Sequence, residues 1–192
     1  MTLKIAFVGP PASGKTTLAL TVTAQLKLQY NAEIAPEFAR TYILQNGGIQ
    51  DAFEQYLILR KQKQMEDILA SRHDIVVCDS ATFLCYIYAR RLVDYLSDRY
   101  LNVLELIHRE SLANYYNLVF YLDAESTHQI NDNVRIHTAG QLAGLGTAIR
   151  GFMDAEGIKY FILKGNLQER TDSALRLINQ KLDERQCFQS VA

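Results

Sequence analysis

The stretch FVGPPASGKTT, residues 7–17, constrains the fold more tightly than any other part of this chain. Before it, residues 3–8 form a short apolar run that reads as a buried strand ending at Gly9. After it, Leu18, Val22 and Leu26 recur at helical spacing, so a helix is predicted from Lys15 to about Gln29. Gly9, Gly14, Lys15 and Thr16 satisfy G-x-x-x-x-G-K-[ST] between these two elements. The spacing has a mechanical reason. Successive backbone N–H groups wrap an anion, which needs glycine where the chain turns tightly or nears a phosphate. The positive end of the following helix aims at the same anion. Gly9, Pro10, Pro11, Ala12, Ser13, Gly14, Lys15, Thr16 and Thr17 are therefore the expected nucleotide-binding loop. Lys15 would reach the β- and γ-phosphates of ATP, and the Thr16 hydroxyl would hold Mg²⁺.

The rest of the chain continues the rhythm of a parallel sheet covered by helices. Further strands are predicted at AEIA (residues 32–35), DIVVCD (74–79), NLVFYLD (117–123) and KYFILKG (159–165). Helices are predicted from Pro36 to about Gly47, then over 51–72, 81–96, 98–113, 141–154 and 169–184. Pro36 suits a first helical position. Residues 124–138 are polar and rich in Asn and His, and read as a loop or mobile lid. The expectation is a single-domain α/β P-loop NTPase with a parallel five-stranded sheet flanked by helices. It spans residues 1–186, with a lid at about 124–151 and a fraying tail at 187–192. No internal repeat, low-complexity tract or Pro/Gly/Ser linker divides it.

Composition narrows the function classes. Hydrophobic residues make up 48% and charged residues 21% of 192, which suits one folded soluble domain and argues against disorder. A net charge of −1 supplies no global basic field for nucleic acid or an anionic membrane. No stretch approaches the roughly 18 apolar residues of a membrane span, and the N-terminal apolar run is too short for a signal peptide. Cys78, Cys85 and Cys187 are odd in number and lack metal-ligand spacing, as expected of reduced, buried thiols in a cytoplasmic protein.

Two acids end predicted strands, where the ligand crevice of a parallel α/β sheet opens. Asp79 follows the more continuously apolar strand and is the better candidate to hold Mg²⁺ beside Thr16. Asp123 reads more readily as a cap for the segment after its strand. Glu37 and Arg40 lie three apart, on one face of a predicted helix just after the second strand. A surface ion pair there would contribute only a few tenths of a kcal/mol, on the order of exposed pairs generally. In the crevice, the carboxylate could accept a substrate hydroxyl proton while the guanidinium holds phosphate.

In order and spacing, GPPASGKTTLA, APEFARTY and VVCDSATFLCYIYA resemble a P-loop kinase-like group. That group includes the ribosylnicotinamide kinase domain of the bacterial NAD-biosynthesis regulator. The resemblance implies a Glu-x-x-Arg segment at Glu37 and Arg40, which would bind substrate together with Asp79. It also implies a D-G-x-R lid, met here as DNVR with Asn133 in place of glycine and Arg135 as the catalytic arginine. Gly165 and Arg170 match a late element near which adenine packs. Glu37 and Asp79 compete for the role of base. The chain departs from the pattern after Arg135, where IHTAGQLAGLG lacks a second lid cation; His137 and the distant Arg150 are poor substitutes.

Three functions are compatible with these residues. The first is Mg-ATP-dependent phosphotransfer to a hydroxyl of a small nucleoside-like molecule such as nicotinamide riboside. The second is an ATPase or nucleotide switch whose phosphate goes to water. The third is a polynucleotide 5′-hydroxyl kinase, which the net charge disfavours.

Overall fold

A computed structural model of the chain describes residues 2–92, 98–123 and 144–189. The sheet contains β1 (Leu3–Val8), β2 (Ala32–Ala35), β3 (Ile75–Cys78), β4 (Leu118–Leu122) and β5 (Phe161–Leu163). Their spatial order is β2-β3-β1-β4-β5, and every pairing is parallel. Leu3 pairs with Ile75, Ile5 with Leu118, Ala32 with Ile75 and Phe120 with Phe161. The central strands β3 and β4 are buried along their length, which is why their sequences are unbroken apolar runs rather than alternating ones. At the edge, β5 leaves Phe161 and Ile162 partly exposed.

The helices among the described residues are α1 (Lys15–Leu26), α2 (Phe38–Asn46), α3 (Ala52–Ala70), α4 (Leu84–Leu92), α5 (Asp98–Leu112), α6 (Leu145–Ala155) and α7 (Leu167–Gln189). One sheet face, with Leu3, Ile5, Phe7, Val77 and Phe120, packs on Leu18 and Val22 of α1 and on Ala174 and Ile178 of α7. The other face, with Ala6, Val8, Val76, Cys78 and Tyr121, packs on Leu84 and Ile87 of α4 and on Leu145, Ile149 and Met153 of α6. A third cluster joins Ile58 and Leu59 of α3 to Cys85 and Ala89 of α4 and to Leu104 and Ile107 of α5, outside the sheet. No described helix is long and apolar enough to cross a membrane. Cys78 and Cys85 are buried free thiols, as the sequence predicts.

Element boundaries differ from expectation where side chains cap. Pro36 is not the first helical residue: α2 starts at Phe38, and Glu37 takes the extended N-cap position. Helix α3 starts one residue late because the Asp51 carboxylate accepts from the N–H groups of Phe53 and Glu54. Helix α7 begins two residues before the predicted Glu169. Asn166 and Glu169 exchange side-chain-to-backbone bonds at 2.8 and 3.0 Å, a capping box that sets the start at Leu167. The same helix runs on to Gln189, past the expected start of the tail.

All of this directs one end of the sheet. Gly9, Glu37, Asp79 and Asp123 each follow a strand at its carboxyl end, with β1 flanked by β3 and β4. The chain passes from β1 to the β2–β3 side and then back across to β4, so the crevice opens where the strand order reverses.

Candidate functional site

The phosphate loop is held by backbone geometry. Gly9 has φ +153°, and a Cβ there would collide with the Leu122 carbonyl and lie 2.9 Å from Ser13 Oγ. Gly14 has φ +87° and N-caps α1 without a side-chain bond, so no side chain covers the first turn of α1. Lys15 Nζ donates to the carbonyls of Gly9 and Pro10, 3.0 Å each, which lays the ammonium across the mouth of the loop. Pro10, Pro11, Ala12, Ser13, Thr16 and Thr17 complete the loop and first turn. Ser13 is fully buried, and its Oγ has no hydrogen-bond partner.

Arg170, on α7, lies against the back of this loop. Its NH1 donates to the Ser13 carbonyl at 3.0 Å, and the residue is buried. Burial lowers its pKa, while the charge of Asp123 acts in the opposite direction. Asp123 thus serves the Arg170 side of the loop, and the segment it was expected to cap lies outside the described residues. Gly165 sits in the exposed turn ahead of α7, beside the Glu169 carboxylate.

Asp79 lies on the other side. It is buried at 4% exposure, and its backbone N–H is fixed to the Ala35 carbonyl at 3.0 Å. Burial, followed by the nearby charge of Glu37, pushes its carboxyl up to about 7, against the hydrogen bond with Thr16 and the charges of Lys15 and Arg40. Its Oδ1 is buried without a hydrogen-bond partner. The Thr16 alcohol acts on the Asp79 carboxyl, one of whose oxygens is uncommitted among the described residues, so the two offer oxygen donors of the kind that suits Mg²⁺. Among the described residues no cluster of three or more His, Cys, Asp or Glu could hold a metal, so any cation site here must be completed by phosphate and water.

Glu37 is half-buried, and its side chain makes no cap bond to α2. Its charge raises not only Asp79 but also two residues one turn apart on α4. Burial first and Glu37 second push the Cys85 thiol up to about 12, and they also raise the Tyr88 hydroxyl. Arg40, likewise half-buried, acts on Asp79 in the opposite sense. Glu37, Arg40, Asp79, Lys15 and Thr16 therefore share one electrostatic neighbourhood. Cys85 and Tyr88 were not foreseen as part of it. Their three-residue spacing on a helix directly after Asp79 was the available signal. Arg135, with Asn133 and His137, lies outside the described residues.

A family profile described as AAA domain matches residues 4–170, and the chain belongs to that family. No curated protein matches the chain. Many solved structures share its fold, among them the following three. NadR protein in complex with NAD and AMP-PNP is 14% identical with a TM-score of 0.71, and the match covers 93% of this chain and 49% of that one. NadR in complex with NR is 17% identical with a TM-score of 0.73, covering 93% and 50%. Thymidylate kinase from Ehrlichia chaffeensis is 13% identical with a TM-score of 0.67, covering 93% and 98%. The chain thus spans about half the length of the NadR chains. The likeness, at these identities, is one of fold: a P-loop kinase-like α/β domain, as the sequence motifs imply.

Proposed function

We propose that the protein transfers the γ-phosphoryl group of ATP, with Mg²⁺, to a hydroxyl of a small nucleoside-like molecule. The observation that carries this reading is the carboxylate pair beside the phosphate loop. Glu37, with no capping bond of its own, raises the pKa of Asp79, while the Thr16 hydroxyl acts to lower it. A site that only held nucleotide would have no use for a second carboxylate within electrostatic reach of the first, because like charges in a buried crevice are costly.

The two acids divide the work. We assign Asp79, on which the Thr16 hydroxyl acts, to the metal side, and Glu37, which has no capping bond, to the role of base for the acceptor, with Asp79 the alternative base. Thr16 and Asp79 would hold Mg²⁺, which when bound would supply positive charge to offset that of the phosphates. Lys15 exchanges the Gly9 and Pro10 carbonyls for phosphate oxygens. The acceptor oxygen attacks the γ-phosphorus as Glu37 takes its proton, the bond to the β–γ bridging oxygen breaks, and ADP leaves. Arg40 is the candidate to orient the acceptor, and Arg135 is the candidate for stabilising charge from the lid. The NAD, NR and thymidylate in the names of the related structures support an acceptor of nucleoside or nucleotide type.

The test is ADP release from Mg-ATP in the presence of nicotinamide riboside, common nucleosides, thymidine monophosphate or 5′-hydroxyl oligonucleotides. Dependence on one small molecule, lost in Lys15→Ala, is the expected result. Release without any acceptor refutes it in favour of hydrolysis, and release that depends on oligonucleotides refutes it in favour of a polynucleotide kinase.

A further inference from the structure

Beneath the acceptor half of the site, a buried carboxylate gathers polar groups from five parts of the chain. Glu66, on α3, is fully buried. Its Oε2 meets Lys4 Nζ of β1 at 2.9 Å and accepts from Asn114 Nδ2 at 2.8 Å. Lys4 Nζ also donates to Asn114 Oδ1 at 2.6 Å, and the Tyr116 hydroxyl donates to the Glu66 carboxylate at 3.1 Å. Gln62, one turn earlier on α3, donates from Nε2 to Glu66 Oε1 at 3.0 Å.

This network has outlets, and they lead to the two segments that bear Glu37 and Asp79. Gln62 Oε1 accepts from the backbone N–H of Phe38 at 2.9 Å, the first N–H of α2 and the residue after Glu37. The amide orientation of Gln62 is fixed by this pairing, since only its oxygen can serve Phe38 while its nitrogen serves the carboxylate. The Tyr116 hydroxyl accepts from the backbone N–H of Thr82 at 2.9 Å, three residues after Asp79. Burial first and the Glu66 charge second raise the thiol of Cys78, the residue before Asp79. Thus β2 with its helix and β3 with its helix are tied to one buried anion.

Stability alone gives little reason for such an arrangement. Taking a carboxylate and an ammonium out of water is expensive, and apolar residues of similar volume are often as stable in the same place. What the ion pair and its hydrogen bonds supply, and apolar packing does not, is direction: a fully satisfied buried network rigidifies the groups it joins, here including the backbone N–H groups of Phe38 and Thr82. Chemistry that depends on the separation of two carboxylates needs such fixing, because small misplacements sharply lower rate.

We propose that Gln62 and Glu66 are positioning residues for phosphotransfer, holding the Glu37 and Asp79 segments at the separation the acceptor requires. Gln62 is the sharper element. By serving Phe38 N–H it anchors the start of α2 from below, and the Glu37 carboxylate stays turned to the crevice. This role rests on the phosphotransfer reading above.

The experiment compares Gln62→Met with Ile58→Val in the full chain, using whichever acceptor of the panel the wild type phosphorylates. Methionine keeps the volume and removes both hydrogen bonds, while Lys4, Asn114 and Tyr116 still satisfy Glu66. Ile58→Val loosens the same helix without touching the network. Expected for Gln62→Met is a fall in kcat of about tenfold or more, with the ATP KM within about twofold of wild type. Ile58→Val keeps wild-type kcat even where its melting temperature drops as far. An unchanged kcat in Gln62→Met overturns the positioning role. So does an ATP KM that worsens in step with kcat, or an equal kcat loss in Ile58→Val. A wild type without acceptor-dependent turnover refutes the phosphotransfer reading itself, and the positioning role with it.

Discussion

Replacing Asp79 by asparagine should make the nucleotide-free protein more stable, although the residue is central to the site. The reason is its environment. At 4% exposure and next to Glu37, the carboxyl is raised from 3.8 to about 7, so ionising it in the folded state is costly. One pKa unit corresponds to about 1.4 kcal/mol, which makes the full penalty about 4 kcal/mol as an upper bound. The sign comes from the direction. A folded-state pKa above the unfolded one means that the contribution of Asp79 is complete below about pH 4 and is lost as pH rises through about 7. Asparagine keeps the shape, but it has no charge to desolvate. Urea unfolding of both proteins without nucleotide or metal, at several pH values between about 4 and 8.5, isolates this contribution because every other group is common to the two. The Asn variant should match the wild type at the acid end and exceed it by one or more kcal/mol at about pH 8, on the order of several degrees in melting temperature. Saturating Mg-ATP should narrow or reverse the gap, since only the wild type gains from a carboxylate beside the cation. Parallel stability curves, or an Asn variant less stable at alkaline pH, would refute the electrostatic account of the site.

Other substitutions separate the parts of the site. Glu37→Gln should lower phosphotransfer by about a hundredfold or more, while Mg-ATP affinity measured by calorimetry stays within about twofold. Arg170→Met removes a buried charged donor from the Ser13 carbonyl, so unfolding free energy should fall by about 2 kcal/mol and nucleotide binding should weaken several-fold. Lysine at the same position should rescue poorly, because it lacks the planar fork. Gly9→Ala forces a Cβ into the Leu122 carbonyl at φ +153° and should abolish nucleotide binding in the same titration.

The legible parts of this molecule were those where one local rule decides the outcome. Strands β1, β3 and β4 announce themselves because burial on both faces demands continuous apolar runs, and Gly9–Thr16 because a phosphate cradle requires its glycines. Asp79 could be found because its position at a strand end arises from the same pattern. Less legible were features set by distant contacts. Nothing local assigns Ala12 its left-handed φ of +67°, and nothing in GNLQER indicates that Arg170 reaches across to the Ser13 carbonyl. Lys4 in an apolar strand and Glu66 in a long helix look like solvated charges until the fold brings them to 2.9 Å. The start of α7 was within reach, since Asn166 and Glu169 stand at capping-box spacing.

The most direct measurement tracks the γ-phosphate itself. Wild-type protein is incubated with Mg²⁺ and γ-labelled ATP together with the acceptor panel, and the label is located by mass spectrometry and phosphorus NMR. The account predicts label in a phosphoester on a small nucleoside-like acceptor, with little inorganic phosphate and none transferred by Lys15→Ala. Label appearing as inorganic phosphate at the same rate with and without acceptor would contradict it.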